Sequence, residues 1–185
     1  MEDSKIIDLY WQRSEQAISE TSDKYGMYCH TIAYNILMNR EDSEDTVNDT
    51  YLAAWNSMPP YRPSILKTFL GKITRNLALK RYRDNARIKR GGQTVTEAIE
   101  ELESLLMSEQ STEGEVMAKE LEKAMNRFVS GLPDLERDIF LRRYWYLESI
   151  EMICRHYEFT ESKVKSILYR TRGKLRSYLQ KGEYL

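Results

Sequence analysis

Cysteine is almost missing from this chain: Cys29 and Cys154 are its two, far apart and each inside an expected helix. That excludes a disulfide framework, and both are read as reduced, partly buried thiols. Histidine is equally scarce. Cys29-His30 and Cys154-Arg155-His156 point to different helix faces, so neither group chelates a metal from one helix. Glycine and proline number only 8 and 4 in 185 residues, and few runs alternate in polarity, so an all-α chain is expected. No stretch approaches the roughly 18 uninterrupted apolar residues of a membrane span. Membrane insertion is therefore not expected. The acidic start, Met1-Glu2-Asp3-Ser4, lacks the apolar run of a secretion signal, and the cytoplasm is the expected compartment. There is no glycine-rich phosphate loop, no metal motif and no nucleophile at a motif spacing from either histidine. Catalysis and cofactors are not expected.

What is present is charge, sorted along the chain. The net charge of −1 hides it. Arg62 to Arg90 carries ten basic residues against Asp84 alone, and Glu161 to Lys181 carries seven against Glu161 alone. Between them, Glu97 to Glu122 holds nine acidic residues and one basic, Lys119. Two basic blocks separated by an acidic one suggest two polyanion-binding surfaces joined by a segment kept off them. The expected organisation is a domain over 1–90, an acidic linker over 91–115 and a helix-turn-helix domain over 116–185.

Periodicity supplies the elements. A first helical pattern runs over about 6–38, with a break expected near Ser22 to Gly26. Asp42-Ser43 offers a cap for a helix to about Ser57, with Glu44 and Asp45 suited to its dipole. That helix gathers Asp45, Asp49, Leu52 and Asn56 on one face. Met58-Pro59-Pro60-Tyr61-Arg62-Pro63-Ser64 must be a loop. A helix over about 65–88 buries Leu66, Phe69, Leu70, Ile73 and Leu77 and is dense in Lys and Arg elsewhere. Gly91-Gly92 ends that domain, and the following linker contains a marginal helix. Helices follow over about 115–128 and 135–146.

From Ser149 to Leu179 the chain reads as a helix, a tight turn and a longer helix capped by Thr160. Val164, Ile167, Leu168, Leu175 and Leu179 form the buried stripe of the second. Its other side is small, polar and basic, the shape a duplex major groove admits. Glu161, Ser162, Lys163 and Ser166 are placed for base edges, and Lys165, Arg170 and Arg172 for phosphates, with Tyr169 on the same side. Tyr61, in the proline loop, is placed to stack on an unpaired base. A basic outer face alone is usually only solvated; the turn length, the cap and the small residues distinguish this one.

Two stretches together resemble the bacterial sigma-70 family, in its extracytoplasmic-function (ECF) group. Asp42 to Trp55, followed by Phe69-Leu70-Gly71-Lys72-Ile73-Thr74-Arg75-Asn76-Leu77 to Arg83, resembles the family's second region. Leu132-Pro133 to Tyr144, with Ser149 to Ile153 and Ser162 to Leu175, resembles its fourth. The resemblance implies an initiation factor that binds core RNA polymerase and directs promoter recognition and melting, without being an enzyme. It implies that Asp45, Asp49, Leu52 and Asn56 dock on the polymerase. It assigns Tyr61, Arg62, Lys72, Arg75, Asn76, Lys80, Arg81 and Arg83 to the start-proximal promoter element and a flipped base of the melted strand. Thr160, Glu161, Ser162, Lys163, Lys165, Ser166, Tyr169, Arg170 and Arg172 would read the upstream element as duplex. A partner anti-sigma protein and association with the nucleoid are further implications. The alternative is a helix-turn-helix regulator that binds DNA without polymerase. Two positions depart from the family pattern: Lys80 stands where relatives often carry Asp, and the turn His156-Tyr157-Glu158-Phe159 lacks the usual Gly. A positive φ is expected at Tyr157 or Glu158.

Overall fold

Helices account for the regular structure of the computed structural model, which describes residues 1–86, 93–106 and 115–182. The described residues form nine helices: α1 (Asp3–Trp11), α2 (Gln16–Leu37), α3 (Arg40–Ser57), α4 (Leu66–Ala86), α5 (Gln93–Leu106), α6 (Glu115–Ser130), α7 (Asp134–Tyr144), α8 (Ile150–Tyr157) and α9 (Glu161–Lys181). They divide into two compact units, Met1–Gly92 and Gln93–Leu185.

In the first unit α2, α3 and α4 pack pairwise and α1 closes the end. The core includes Ile6, Tyr10, Cys29, Val47, Tyr51, Ala54, Met58, Leu66 and Leu70. Buried hydroxyls find partners across helices: Thr50 Oγ1 donates to Thr74 Oγ1 at 3.1 Å, and the Tyr10 and Thr21 hydroxyls lie 3.0 Å apart. Burial pushes the Cys29 thiol up, as expected of an inert core thiol. Gly71 lets α4 approach α2, because a Cβ there would overlap the Tyr28 hydroxyl and lie 3.1 Å from its Cζ.

The expected break near Ser22–Gly26 does not occur. Those residues continue α2, and the chain turns instead at Gln12–Glu15, where Arg13 has a left-handed φ of 56°. α3 starts earlier than expected: the Asn39 side chain, not Asp42 or Ser43, caps it by accepting from the Asp42 N–H at 3.0 Å. Ser43 is one turn inside and donates to the Asn39 carbonyl.

In the second unit Phe128, Ile139, Phe140, Ile153, Val164, Leu168, Leu175 and Leu179 form the core of α6 to α9. Residues 93–106, expected inside a linker as a marginal helix, form α5 within this unit, where it packs on α7 and α9. Val95 and Ala98, three apart, are its buried stripe. The rest of the expected linker, at 91–92 and 107–114, lies outside the described residues, as do Arg87, Lys89 and Arg90.

Candidate nucleic-acid interface

Local capping builds the helix-turn-helix. Ser149 Oγ accepts from the Met152 N–H at 3.1 Å to start α8. Glu158 ends it in the left-handed conformation, φ 54° and ψ 37°, the positive φ expected at this turn. Thr160 Oγ1 then accepts from the Lys163 N–H at 3.3 Å to open α9. A non-glycine residue is held left-handed here because helices on both sides dictate the turn. Tyr157 donates to Asp138 on α7, and Arg142 bridges Asp138, Glu148 and His156. The Phe159 ring lies under the Lys163 ammonium, 3.3 Å from centroid to Nζ.

Thr160, Glu161, Ser162, Lys163, Lys165, Ser166, Tyr169 and Arg170 are all exposed, and Tyr169 is 72% exposed. Glu161, Ser162, Lys165, Ser166, Tyr169 and Arg170 line one shallow open groove. Gly173 lies on the same side, and among the described residues no heavy atom comes within 4 Å of where its Cβ would stand, leaving the backbone open at that point. Lys165 is engaged by Glu161 at 2.7 Å, an exposed pair that water screens and a phosphate can replace.

Arg172 does not join this face. It is half-buried, and its Nη1 donates to Glu101 Oε2 at 2.7 Å and to Tyr144 Oη at 2.6 Å. At 3.6 residues per turn it lies about 100° around α9 from Gly173, beside the buried Leu168 and Leu175. Its sequence position, four after one buried Leu and three before another, carried that signal.

In the first unit, Lys72, Asn76, Lys80 and Arg83 recur at helical spacing and are all exposed, forming one stripe along α4. Arg75 is half-buried, and burial first, then the nearby Arg83, push its guanidinium down from its usual value; it remains charged. Tyr61 is 56% exposed, its ring tilted on Phe69 with centroids 5.3 Å apart. Sequence reasoning missed what fixes the loop. Arg62 pairs with Asp8 on α1 at 2.5 Å and lies over the Trp11 ring, so the proline loop is tied to the N-terminal helix.

Asp45, Asp49, Leu52 and Asn56 are exposed together along α3, and Leu52 is 58% exposed. Arg81, expected on the nucleic-acid surface, joins this stripe. It pairs with Asp45 at 3.3 Å and Asp49 at 3.2 Å and donates to the Asp42 carbonyl at 3.1 Å. A shallow groove lined by Ile18, Asn48, Tyr51, Leu52 and Trp55 runs beside it between α2 and α3.

Among the described residues, no cluster of His, Cys, Asp and Glu is arranged to hold a metal ion. No described helix is long and apolar enough to cross a membrane. Residues 23–88 match the family model described as Sigma-70 region 2. A solved structure, that of CnrH in complex with the cytosolic domain of CnrY, aligns over 96% of this chain and 97% of that one. Identity is 18% and the TM-score 0.45, a likeness too distant to carry an inference.

Proposed function

We propose, from the match of residues 23–88 to the Sigma-70 region 2 model, that the chain belongs to the sigma-70 family and is a transcription initiation factor of the extracytoplasmic-function kind. It acts in the cytoplasm, on the nucleoid, with core RNA polymerase and promoter DNA as partners. The region 2 match carries the reading, and the exposed stripe of Asp45, Asp49, Leu52 and Asn56 inside that region supports it.

Each surface then has one task. The α3 stripe docks on the polymerase, an exposed leucine amid acids being an anchor that complementary charge surrounds. The α4 stripe of Lys72, Asn76, Lys80 and Arg83 follows the backbone of the start-proximal element. Tyr61 offers a ring face to an extruded base, whose unstacking costs a few kcal/mol. Arg62 positions that loop through α1. The exposed face of α9 reads duplex DNA upstream, its phosphate contacts making affinity depend on salt. Arg81 is reassigned from promoter contact to organising the docking stripe. The chain supplies binding energy and strand capture, and polymerase performs the chemistry. A sequestering anti-sigma protein would act by covering these faces.

Capture of purified core polymerase by the tagged full chain tests this. The unaltered chain is expected to retain polymerase. Leu52→Glu, which breaks no ion pair, is expected to weaken capture at least about tenfold while circular dichroism stays unchanged, as loss of an interface anchor does. Retention by Leu52→Glu at full strength means that another face docks. No retention of polymerase by the unaltered chain leaves a helix-turn-helix regulator as the better reading.

A further inference from the structure

Glu101, on the acidic helix α5, accepts from three groups on two other helices of the second unit. Arg172 Nη1 lies at 2.7 Å, Tyr144 Oη at 2.6 Å and Arg143 Nη2 at 3.1 Å. Arg143 is 1% exposed, and its remaining contacts include the Glu148 carbonyl at 3.3 Å and Glu97 at 3.9 Å. Glu97 is one turn earlier on α5. The hydrogen bond and charge of Glu161 hold the Lys165 ammonium above its usual range, with Glu97 the smallest contributor. α5 thus lies along the flank of α9 that carries Arg172.

That flank has a second use. A duplex lying on the exposed face of α9 must run phosphates along the sides of that helix, where cations and hydroxyls receive them. Two guanidinium groups and a phenol converging on one carboxylate are equally suited to a phosphate oxygen. Among the described side chains of α5, Val95 and Ala98 are fully buried and Ile99 and Leu102 half-buried, so the acids of the helix lie beside its apolar stripe.

We propose that α5 is a self-docked acidic strap, its Glu101 carboxylate occupying an anion cradle of Arg143, Tyr144 and Arg172 that duplex DNA claims through a backbone phosphate. The proposal rests on the reading of α9 as the duplex-reading helix. Arg172 is silent toward DNA while the strap is docked and becomes a phosphate contact when it leaves. The strap therefore lowers affinity for any duplex and leaves base readout unaltered.

Fluorescence anisotropy of the full chain with a duplex of about 20 base pairs of arbitrary sequence, read at several salt concentrations, tests this alongside hydrogen exchange of α5. Amides of α5 are expected to be protected in the free chain and to lose protection at saturating duplex. Glu97→Gln with Glu101→Gln keeps acceptor oxygens for Arg143. It is expected to bind about tenfold tighter at low salt, with a slope steeper by about one phosphate. Adding Arg172→Ala should cancel that gain, whereas Arg172→Ala alone should change affinity less than about twofold. The proposal is overturned if α5 stays protected in the complex, or if the folded double variant binds no tighter. Should the double variant not fold, exchange in the unaltered chain decides alone. No binding of duplex by any of these proteins contradicts the reading of α9 itself.

Discussion

Single residues carry much of the local geometry, and Glu158 shows how. Its left-handed backbone, φ 54° and ψ 37°, costs an L-residue roughly 1–2 kcal/mol. The unit accepts that cost because α8 and α9 must meet at this turn. Glu158→Gly removes the clash, and the greater freedom of glycine in the unfolded chain offsets part of the gain. The second unit of the variant should be more stable by about 0.5–1 kcal/mol, seen as a raised thermal midpoint. An equal or lower midpoint means that the glutamate side chain holds the turn in another way. Arg172 and Arg81 show the converse. Both are basic residues in basic blocks, yet each is taken up by carboxylates of its own unit, Glu101 for one and Asp45 with Asp49 for the other. Charge counting assigns such residues to a polyanion; only tertiary structure shows the acid that reached them first.

Between elements, a polar bridge ties α7 to α8. Burial pushes the Asp138 carboxyl up, but hydrogen bonds from Tyr157 and Arg142 outweigh it and hold the group below its usual range. A carboxyl whose folded pKa lies below its unfolded value stabilises the fold at any pH above the unfolded value, near 3.9. That contribution is lost as pH falls through the folded value. The second unit should therefore lose stability below about pH 4, and Asp138→Asn should make that loss shallower. Thermal melts at stepped pH check it; identical acid slopes would exclude Asp138 as a source. The elements themselves were largely legible in the sequence. The apolar period of α9, the proline loop and the Thr160 cap stand where expected, because burial of one stripe and capping of orphan N–H groups are local requirements. In α4 Leu66 and Leu70 are buried as expected, but Phe69, Ile73 and Leu77 are only half-buried, and the buried line continues through Thr74 and Ala78. The first break was misplaced because a glycine in a helical pattern reads as an interruption, whereas Gly26 continues α2. The start of α3 was late because Asn39, Asp42 and Ser43 are all capping residues, and sequence does not rank them. α5 was underestimated because its acidic surface suggests a solvated linker. What holds it includes a buried arginine on α7, 42 residues away from Glu101.

At the scale of the whole chain, function follows from parcelling. The first unit gathers the α3 stripe and the basic α4 stripe, and the second presents α9. Neither net charge nor composition reveals this, since acids and bases nearly cancel over the chain. Segregation along the sequence does, and it was legible from the start. The division between the units was less so, because residues 93–106 belong with the second unit and not between the two. The proposed initiation factor needs both units acting on one promoter while one of them docks on polymerase. Run-off transcription of a genomic fragment library by bacterial core polymerase, with and without the chain, reads this most directly. Discrete new transcripts that appear only with the chain are the predicted result. A chain that binds duplex fragments yet starts no transcript would contradict it.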